Sequence, residues 1–238
     1  RVKARFVNNA MMVTLLGAVV SDGLEDGRVV SGVGGQYNFV AQAFDLEDAR
    51  AIITLSATRM AKGKLVSNIL WSYGHVTIPR HLRDIIVTEY GVADLRGKSD
   101  CDVIAALLAI ADSRFQPELL RQAKAAGKID KAYEIPPAHR NNTPQRLADA
   151  LAGLSASGDL PRFPFGSDFT DVEQRLMPAL QKLQSAKPLQ LASLALRGLR
   201  AGTPHGDVLA CLTRMELAAP RSVKERFFRW LLIGALTA

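Results

Sequence analysis

The chain has 238 residues, of which 48% are hydrophobic, so it is long and apolar enough to bury a substantial core and is not a disordered segment. Its net charge of +7 would suit nucleic acid, but the basic residues are scattered and have few aromatic neighbours. Small anions fit this charge equally well, so nucleic acid is not a favoured partner. Cys101 and Cys211 form no C-x-x-C pattern, which predicts no metal site and a reduced, cytoplasmic setting.

The two ends of the chain indicate where it belongs in a protein. It opens with Arg1 inside a strand-like stretch, without an initiator methionine, a charged leader or the apolar core of a signal peptide. We therefore expect the second half of a longer protein. Near the other end, the apolar run at 230–236 is far shorter than the ~20 residues of a membrane span. No membrane partner is predicted.

Two short strands are predicted within residues 1–20, where Val, Met and Phe alternate loosely with other residues, and a loop follows at 21–26. Asn8 and Asn9 fall inside the first strand. A buried amide at such a position needs hydrogen-bond partners. From the residues alone, a strand end or a bulge is the better explanation of both side chains.

A glycine-rich stretch, Ser31-Gly32-Val33-Gly34-Gly35, joins the apolar pair Val29-Val30 to residues 36–46, which have helical spacing. The pattern predicts a strand, a glycine turn and a helix start. Glycines in such a turn allow close approach of a ligand, and the free N–H groups at a helix start favour a negative oxygen. A tight turn without a ligand is the structural alternative. The glycine spacing matches neither a Walker loop nor a dinucleotide fingerprint.

Two almost continuously apolar runs, 51–55 and 84–88, predict buried strands and, with the helices around them, an α/β fold with a mostly parallel sheet covered by helices. Lys62-Gly63-Lys64 interrupts the apolar pattern and predicts a loop or hairpin tip, where lysines are solvated by default. His75 and His81 could be taken for catalytic bases. Because Pro79 makes a regular strand there doubtful, a surface or core-edge role is favoured.

Beyond residue 98 the sequence predicts mainly helices. Ser99 and Asp102 have capping-box spacing, as do Thr170 and Glu173. The predicted segments are helices at 99–110 and 117–126, a linker at 135–142, a short helix from Thr143 to about 151, an extended arm at 155–168 and an all-helical appendage from 170 onward.

Two motifs in the first half of the chain are specific enough to indicate a family. They are Ser31-Gly-Val-Gly-Gly-Gln-x-x-Phe39 and Val87-Thr-Glu-Tyr-Gly-x-Ala-x-Leu-Arg-Gly-Lys98, and Val7-Asn8-Asn9-Ala10 precedes them. In this order they resemble the C-terminal domain of the acetyl-CoA hydrolase/transferase family, which includes acetate and 4-hydroxybutyrate CoA-transferases. The resemblance covers about residues 5–127. It implies a CoA-transferase-like α/β domain at 1–134, a connecting segment at 135–169 and a helical appendage at 170–238.

The resemblance also implies roles for particular residues. The backbone N–H groups of Gly34 and Gly35 would stabilise an oxyanion, with Asn8 near the reacting acyl group. Coenzyme A would contact Ser31, Gly35, Gln36 and Lys62. The catalytic glutamate of the family lies upstream of the region present here, and Glu89 belongs to a different motif, so we expect Glu89 to fix a loop. Thr14 departs from the aspartate that is usual in the family, so the local hydrogen bonding can differ.

The resemblance therefore implies an acyl-CoA hydrolase or CoA-transferase whose substrates are acyl-CoA and either water or a small carboxylic acid. It needs no metal. The N-terminal half of the same protein would supply the nucleophile, and a homo-oligomer is an open alternative to a monomer. Two rivals stay open: a non-catalytic CoA-binding or assembly module of the same fold, and a nucleic-acid-binding tail, which only the charge favours.

Overall fold

The computed structural model describes residues 2–161 and 163–237, so Arg1, where the first strand was expected to be under way, lies outside the described residues. The chain forms two compact units, Arg1–Asp159 and Leu160–Ala238. The boundary between them falls within the segment 135–169 that the sequence assigns to a connection.

A four-stranded sheet forms the centre of the first unit. Its strands, in spatial order, are β1 (Arg5–Asn9), β4 (Arg50–Thr54), β8 (Ile85–Thr88) and β9 (Gly91–Asp94). The first three are parallel, and β9 returns antiparallel to β8. The predicted mixed α/β fold with a mostly parallel sheet is confirmed. Asn9 pairs with Thr54 at the carboxyl end of β1 and β4.

Helices cover this sheet, as its apolar strands require. Helix α1 (Gln36–Asp45) packs on β1 and β4, and α2 (Asp100–Ala109) packs on β9 and on α3 (Gln116–Ala125). Alternate residues of β4, Ala51 and Ile53, are buried together with Ile86 of β8 in the main core. Burial of such side chains is the main favourable contribution to the stability of this unit.

The N-terminal segment contains three strands where two were predicted. After β1 come β2 (Met12–Thr14) and β3 (Val19–Val20), which pair antiparallel. The chain reverses between them in a tight turn in which Gly17 has a φ of +87° and Thr14 Oγ1 accepts a hydrogen bond from Ala18 N. The apolar run from 15 to 20 concealed this turn, because its side chains are buried on both sides of it.

A second difference concerns Val29-Val30, which is not a strand. Val29 forms only an isolated bridge to Gly23, and Val29 and Val30 are 72% and 51% exposed. β-branched residues favour a strand only where neighbouring strands and burial support it, and neither is present around these two valines within the described residues. The glycine stretch therefore follows a loop.

Two further strands, β5 (Thr58–Ala61) and β6 (Lys64–Ser67), form a hairpin, and β7 (Ile69–Leu70) pairs with β2. The hairpin turn is Lys62-Gly63, and both residues have positive φ, +48° and +74°. This backbone suits the twist of a two-residue hairpin. The predicted hairpin tip is confirmed.

The segment after α3 stays attached to the first unit. Asn142 is buried, and its side-chain nitrogen donates to Ala109 O at 2.8 Å and to Ala111 O at 2.9 Å. Thr143 caps α4 (Pro144–Ala156) by accepting from Arg146 N. The residues predicted to be a linker are thus fixed by hydrogen bonds.

The second unit is helical, as predicted. Its helices are α5 (Asp171–Ser185), α6 (Pro188–Arg200), α7 (Gly206–Arg214) and α8 (Val223–Leu236). Thr170 and Glu173 form the predicted capping box, and Ser222 caps α8. Cys211 and Leu212 of α7 are fully buried in its core. Among the described residues, no helix is both long and apolar enough to cross a bilayer.

Two glycines allow α6 and α8 to touch backbone to backbone. A Cβ atom added to Gly198 would lie 1.8 Å from the carbonyl oxygen of Trp230, and one added to Gly234 would lie 2.0 Å from that of Leu194. Backbone atoms cannot yield as a flexible side chain can. The contact therefore requires glycine at both positions.

We predict that Gly198→Ala destabilises the second unit by about 2 kcal/mol or more, because the added methyl group must push two helices apart. Gly153→Ala is the matched control, since Gly153 lies in α4 with open space around it, and there alanine should be neutral or slightly stabilising. Hydrogen exchange measured by mass spectrometry across a urea series reports each unit separately. Equal protection of α6 and α8 in the Gly198→Ala variant and the parent would show that the helices are not in backbone contact.

Candidate active site at the carboxyl edge of the sheet

The carboxyl ends of β1 and β4 lie beside the start of α1. Directly after β1, Ala10 N donates a hydrogen bond to Thr54 O, the last residue of β4, at 3.0 Å. Gln36, the first residue of α1, is buried and donates from its side-chain nitrogen to Asn9 O at 3.0 Å. In open α/β sheets ligands bind beyond the carboxyl ends of the parallel strands. The glycine turn that precedes α1 is therefore at the edge where a ligand is expected.

Asn8 faces the first turn of α1. Successive side chains of a strand alternate between faces, so Asn8 shares a face with Phe6, whose ring stacks on that of Phe39 with centroids 5.8 Å apart. Phe39 lies one helical turn beyond Gly35. The Asn8 side chain therefore lies on the face of β1 that packs on α1, one pleat nearer the carboxyl end than Phe6.

The Asn8 amide also has an unmet hydrogen-bonding requirement. Its Nδ2 atom is buried and has no partner among the described residues. Leaving a buried donor unpaired costs about 1–3 kcal/mol, so such an atom in a folded protein calls for an explanation. A ligand oxygen between Asn8 and the helix start would supply the missing acceptor.

The glycine turn presents further unpaired donors. Gly34 has a φ of +57°, which favours glycine, whereas Gly35 has an ordinary φ of −89° and forms the N-cap of α1 without a capping side chain. Among the described residues, no acceptor is found for the backbone N–H groups of Gly34, Gly35, Tyr37 and Asn38. Unpaired N–H groups at a helix start attract a negative oxygen.

The loop that carries the glycines is fixed at its base by Asp22. Asp22 O accepts from Val30 N at 2.7 Å and from Ser31 N at 3.3 Å. The Asp22 carboxylate accepts from the Thr77 hydroxyl, and His75 Nε2 lies 3.0 Å from it. The Thr77 bond, opposed in part by burial and aided by His75, lowers the pKa of Asp22. His75 thus has a core-edge, loop-holding role, as the sequence favours.

The remaining predicted site residues lie at different depths. The Ser31 side chain is exposed, and its hydroxyl donates to the neighbouring Gly32 O at 3.4 Å. Lys62 is exposed at the hairpin tip. Glu89 Oε2 accepts from Ala57 N at 2.8 Å, which matches the loop-fixing role expected for it. The structure links Gln36, directly after the glycine turn, to Asn9, the neighbour of Asn8, and it describes no contact that links Lys62 to these residues.

A cluster of polar side chains beyond β8, formed by Tyr90, Asp112 and Arg114, stabilises the fold. The Asp112 carboxylate is fully buried and accepts from Arg114 Nε at 2.8 Å and from the Tyr90 hydroxyl at 3.0 Å. Burial raises the pKa of Asp112, but the bonds from Arg114 and Tyr90 outweigh it and hold that pKa below its usual range. Burial and the Asp112 charge raise the pKa of Tyr90. All groups of this cluster are paired within the fold.

One part of this edge was not predicted from the sequence. It is a cavity of about 310 Å³ next to Ala10, and Arg59 and Asn68 line it. Arg59 donates to the Asn68 side-chain oxygen across the β5–β6 hairpin. The sequence indicates this contact only by an arginine and an asparagine that lie nine residues apart on either side of a predicted hairpin turn. Whether the two side chains meet depends on the register of the hairpin. The described residues contain no group of three or more His, Cys, Asp or Glu side chains placed to hold a metal ion.

This geometry defines the class of protein: an open α/β domain with a glycine turn, a buried amide donor and a small cavity at the carboxyl edge of its sheet. The model of the acetyl-CoA hydrolase/transferase C-terminal domain matches residues 1–123. The chain belongs to this family.

Relatives with assigned names agree with this membership. The chain is 35% identical over 132 residues to the probable butyrate:acetyl-CoA coenzyme A-transferase of Syntrophomonas wolfei, covering 54% of the chain and 29% of the relative. It is 36% identical over 120 residues to the 4-hydroxybutyrate coenzyme A transferase of Clostridium kluyveri, covering 50% of the chain and 28% of the relative. The chain thus spans less than a third of the length of these relatives.

Among solved structures, RipA from Yersinia pestis is similar with a TM-score of 0.47 and 34% identity, over 52% of this chain and 28% of RipA. The match thus covers about the same fraction of this chain and of RipA as the matches to the two transferases cover.

We predict that Asn8→Leu leaves the stability of the 238-residue chain unchanged or raises it, because the substitution removes a buried donor for which the described residues offer no partner. Asn142→Leu is the matched control, and it should cost about 2 kcal/mol or more, since it removes the bond to Ala109 O and one of the two side-chain bonds to Ala111 O. Urea unfolding of both variants beside the parent measures the difference. A loss of stability in Asn8→Leu equal to that in Asn142→Leu would mean that the Asn8 amide has a structural partner.

Proposed function

We propose that this chain is the part of an acyl-CoA hydrolase or CoA-transferase that stabilises the oxyanion and holds coenzyme A, and that a glutamate outside the 238 residues attacks the thioester. The observation that carries the proposal is the buried Nδ2 of Asn8, which, like the N–H groups of Gly34, Gly35, Tyr37 and Asn38 at the start of α1, has no partner among the described residues. Two sets of donors directed at one place suit an oxygen that gains negative charge.

The chemistry makes this arrangement useful. A carboxylate attacks the thioester carbonyl carbon, and the electron pair of the C=O bond moves to the oxygen, which becomes an oxyanion. When the C=O bond re-forms, the thiolate of coenzyme A leaves and an acyl anhydride is produced. The thiolate then attacks the glutamyl carbonyl and releases the acyl group as a carboxylate. Each addition places negative charge on a carbonyl oxygen.

Asn8 and the N–H groups of Gly34 and Gly35 stabilise that charge. In enzymes of this general kind, one such donor contributes on the order of 3 kcal/mol to the transition state. The donors act without reorganising, because Gln36 ties the helix start to β1 and Asp22 ties the loop base. Preorganised donors in a partly buried place are worth more than the same groups in water.

Coenzyme A contacts Ser31, Gly35, Gln36 and Lys62 in this proposal. The exposed Ser31 hydroxyl and the backbone of Gly35 line the approach to the thioester, and Gln36 has its side-chain oxygen available because only its nitrogen bonds Asn9. The Lys62 ammonium, at the hairpin tip, meets a phosphate.

The nucleophile comes from the region that these relatives have and this chain lacks. Of the carboxylates near the candidate site, Glu89 bonds Ala57 N, and Asp22 bonds Thr77 and His75. Both are committed to holding loops. The relatives supply the reaction class by name: a carboxylic acid and an acyl-CoA exchange coenzyme A. Water in place of the acid gives the hydrolase, and a non-catalytic CoA-binding module is the outcome if no thioester turns over.

Steady-state kinetics of the complete polypeptide test the oxyanion site. Gly35→Ala should lower kcat by about 10- to 100-fold, because a Cβ there meets the Phe39 ring at 3.0 Å and shifts the turn that aims the donors. The melting temperature should change little, since the φ of Gly35 suits alanine. Gly32→Ala, in the same loop with open space around it, is the control and should keep full kcat. Unchanged turnover in a folded Gly35→Ala variant would show that the glycine turn is not part of the active site.

A second experiment concerns Lys62. We expect Lys62→Asn to weaken coenzyme A binding about two- to fivefold, the range of one exposed ion pair, while asparagine keeps the left-handed backbone that this position needs. Lys64→Asn removes the same charge two residues away and should have a smaller effect. Calorimetric titration with coenzyme A at two salt concentrations measures both. Equal affinities in the Lys62→Asn variant and the parent would show that Lys62 is a solvated surface residue without a role in coenzyme A binding.

A further inference from the structure

A cavity of about 440 Å³ lies at the amino edge of the sheet, where Arg96 joins the last turn of α1 to Asp84. Arg96, Gly97 and Lys98 line it, and they are the last three residues of the second sequence motif, to which the proposed function assigns no role. The other lining residues are Phe44, Arg80, His81, Arg83 and Asp100. With four cationic side chains and one carboxylate around it, the cavity suits an anion.

This cavity is separate from the candidate active site. Phe44 is in the last turn of α1, whereas the glycine turn precedes the first residue of that helix. Ten helical residues span about 15 Å. An anion in the cavity therefore does not occupy the position proposed for the thioester, and the cavity does not depend on the proposed function.

Arg83 is fixed at one side of the cavity. Its side chain is 15% exposed, and its guanidinium donates to Leu16 O at 3.0 Å and to Lys98 O at 2.7 Å. A Cβ atom on Gly17 would lie 2.9 Å from Arg83 Cδ, so the turn between β2 and β3 leaves the space that this side chain fills. The Arg83 charge and the Lys98 backbone thus do not have to be ordered when a ligand binds.

The carboxylate in the cavity is shared among three cations. Asp100 accepts from Arg83 Nη1 at 3.0 Å and from Arg80 Nη1 at 3.1 Å, and Lys128 Nζ lies 3.4 Å from it. The bond from Arg83, opposed in part by burial, lowers the pKa of Asp100, so this carboxylate is ionised at neutral pH. One negative charge among three positive charges leaves an excess of positive charge, which attracts anions.

Two exposed cations of the cavity have donors to spare. Lys98 forms no ion pair within the described residues, and its ammonium donates no hydrogen bond there. Arg80 bonds Asp100 through Nη1, which leaves its Nε and Nη2 without an acceptor in that part of the chain. An arginine fork and an ammonium together match phosphate, which offers three strong acceptor oxygens.

Arg96 forms a wall of the cavity and is not a contact for a ligand. Its guanidinium lies 4.2 Å from the Phe44 ring centroid, and its Nη1 donates to Ala49 O at 2.9 Å. Its Nη2 bonds Asp84, and its Nε is buried. Charge and donors for a ligand consequently come from the opposite side, where Arg80 and Lys98 are.

We propose that this cavity binds a phosphate-bearing anion with at least two negative charges, of the size of a diphosphate. Arg80 and Lys98 contact the phosphate oxygens, and Arg83 supplies a fixed charge beside them. The cavity volume is in the range of small-molecule sites and exceeds what a single phosphate fills. Free pyrophosphate and the diphosphate group of a nucleotide share this chemistry.

Titration of the 238-residue chain with pyrophosphate is the first test, at about 150 mM salt so that scattered surface charges are screened. NMR follows the backbone amide signals of Gly97, Lys98 and Gly35. The signals of Gly97 and Lys98 should shift and saturate, while that of Gly35 should stay. A shift confined to Gly35 would place the anion at the glycine turn, and the absence of any saturable shift would show that the cavity binds no phosphate. Either result would overturn the proposal.

Variants of the two contact residues give the second test. Arg80→Gln and Lys98→Gln should each weaken pyrophosphate binding about three- to tenfold, because each removes one charge-assisted contact at an exposed position. Lys131→Gln is the matched control, since Lys131 is exposed outside the cavity and the variant loses the same charge. It should keep the affinity of the parent. Unchanged affinity in both cavity variants, or an equal loss in Lys131→Gln, would contradict the proposal.

Titration with ADP distinguishes the two sources of the diphosphate. An affinity equal to that for pyrophosphate indicates a free inorganic anion, and tighter binding that Arg80→Gln and Lys98→Gln both weaken indicates a nucleotide. Tight binding of ADP that both variants leave unchanged would place the nucleotide elsewhere and contradict the proposal.

Discussion

The buried carboxylate of Asp84 fixes the amino edge of the sheet, and the geometry of the candidate site depends on it. Its side chain is 1% exposed and accepts from Arg50 Nε at 2.7 Å, from Arg96 Nη2 and from Ala51 N at 2.6 Å. A buried charge is tolerated only when it is paired and hydrogen-bonded in this way. Arg96 also donates to Ala43 O, and its guanidinium lies 4.2 Å from the Phe44 ring centroid. The last turn of α1 is thereby anchored to β4 and β8.

This anchor also sets the position of the first turn of α1. The helix has ten residues and is about 15 Å long, so fixing its last turn and its packed face also fixes where its first turn lies. At the amino edge the Asp84 carboxylate accepts hydrogen bonds from Arg50 and Arg96, although Arg96 Nε is buried without a partner among the described residues. At the carboxyl edge Asn8 Nδ2 and the N–H groups of Gly34 and Gly35 also have no partner in that part of the chain. Unpaired donors lower stability, and a protein keeps them where a ligand completes them. The family of this chain acts on acyl-CoA thioesters, whose carbonyl oxygen is such a ligand.

Local patterns were enough to predict much of this arrangement. The helical spacing after Gly35 and the apolar run 51–55 gave α1 and β4, because each element buries its own periodic face. The predictions that were wrong depended on distant partners: Val29 and Val30 are β-branched, but no strand of the described residues pairs with them beyond the single Gly23–Val29 bridge. The candidate site divides in the same way. The glycine turn and Asn8 came from motifs, whereas the facing of Asn8 towards α1 and the Arg59–Asn68 contact follow only from strand register and hairpin pairing, which a single sequence does not specify.

The central claim is that this chain stabilises the oxyanion while a carboxylate from outside it performs the attack. The most direct measurement is to incubate the complete polypeptide with acetyl-CoA, trap the glutamyl-CoA thioester with borohydride or hydroxylamine, and map the modified residue by mass spectrometry. The account predicts one modified glutamate, located outside the 238 residues, and no adduct when this chain is incubated by itself. An adduct on Glu89, or on any other acidic residue of this chain, would contradict the account.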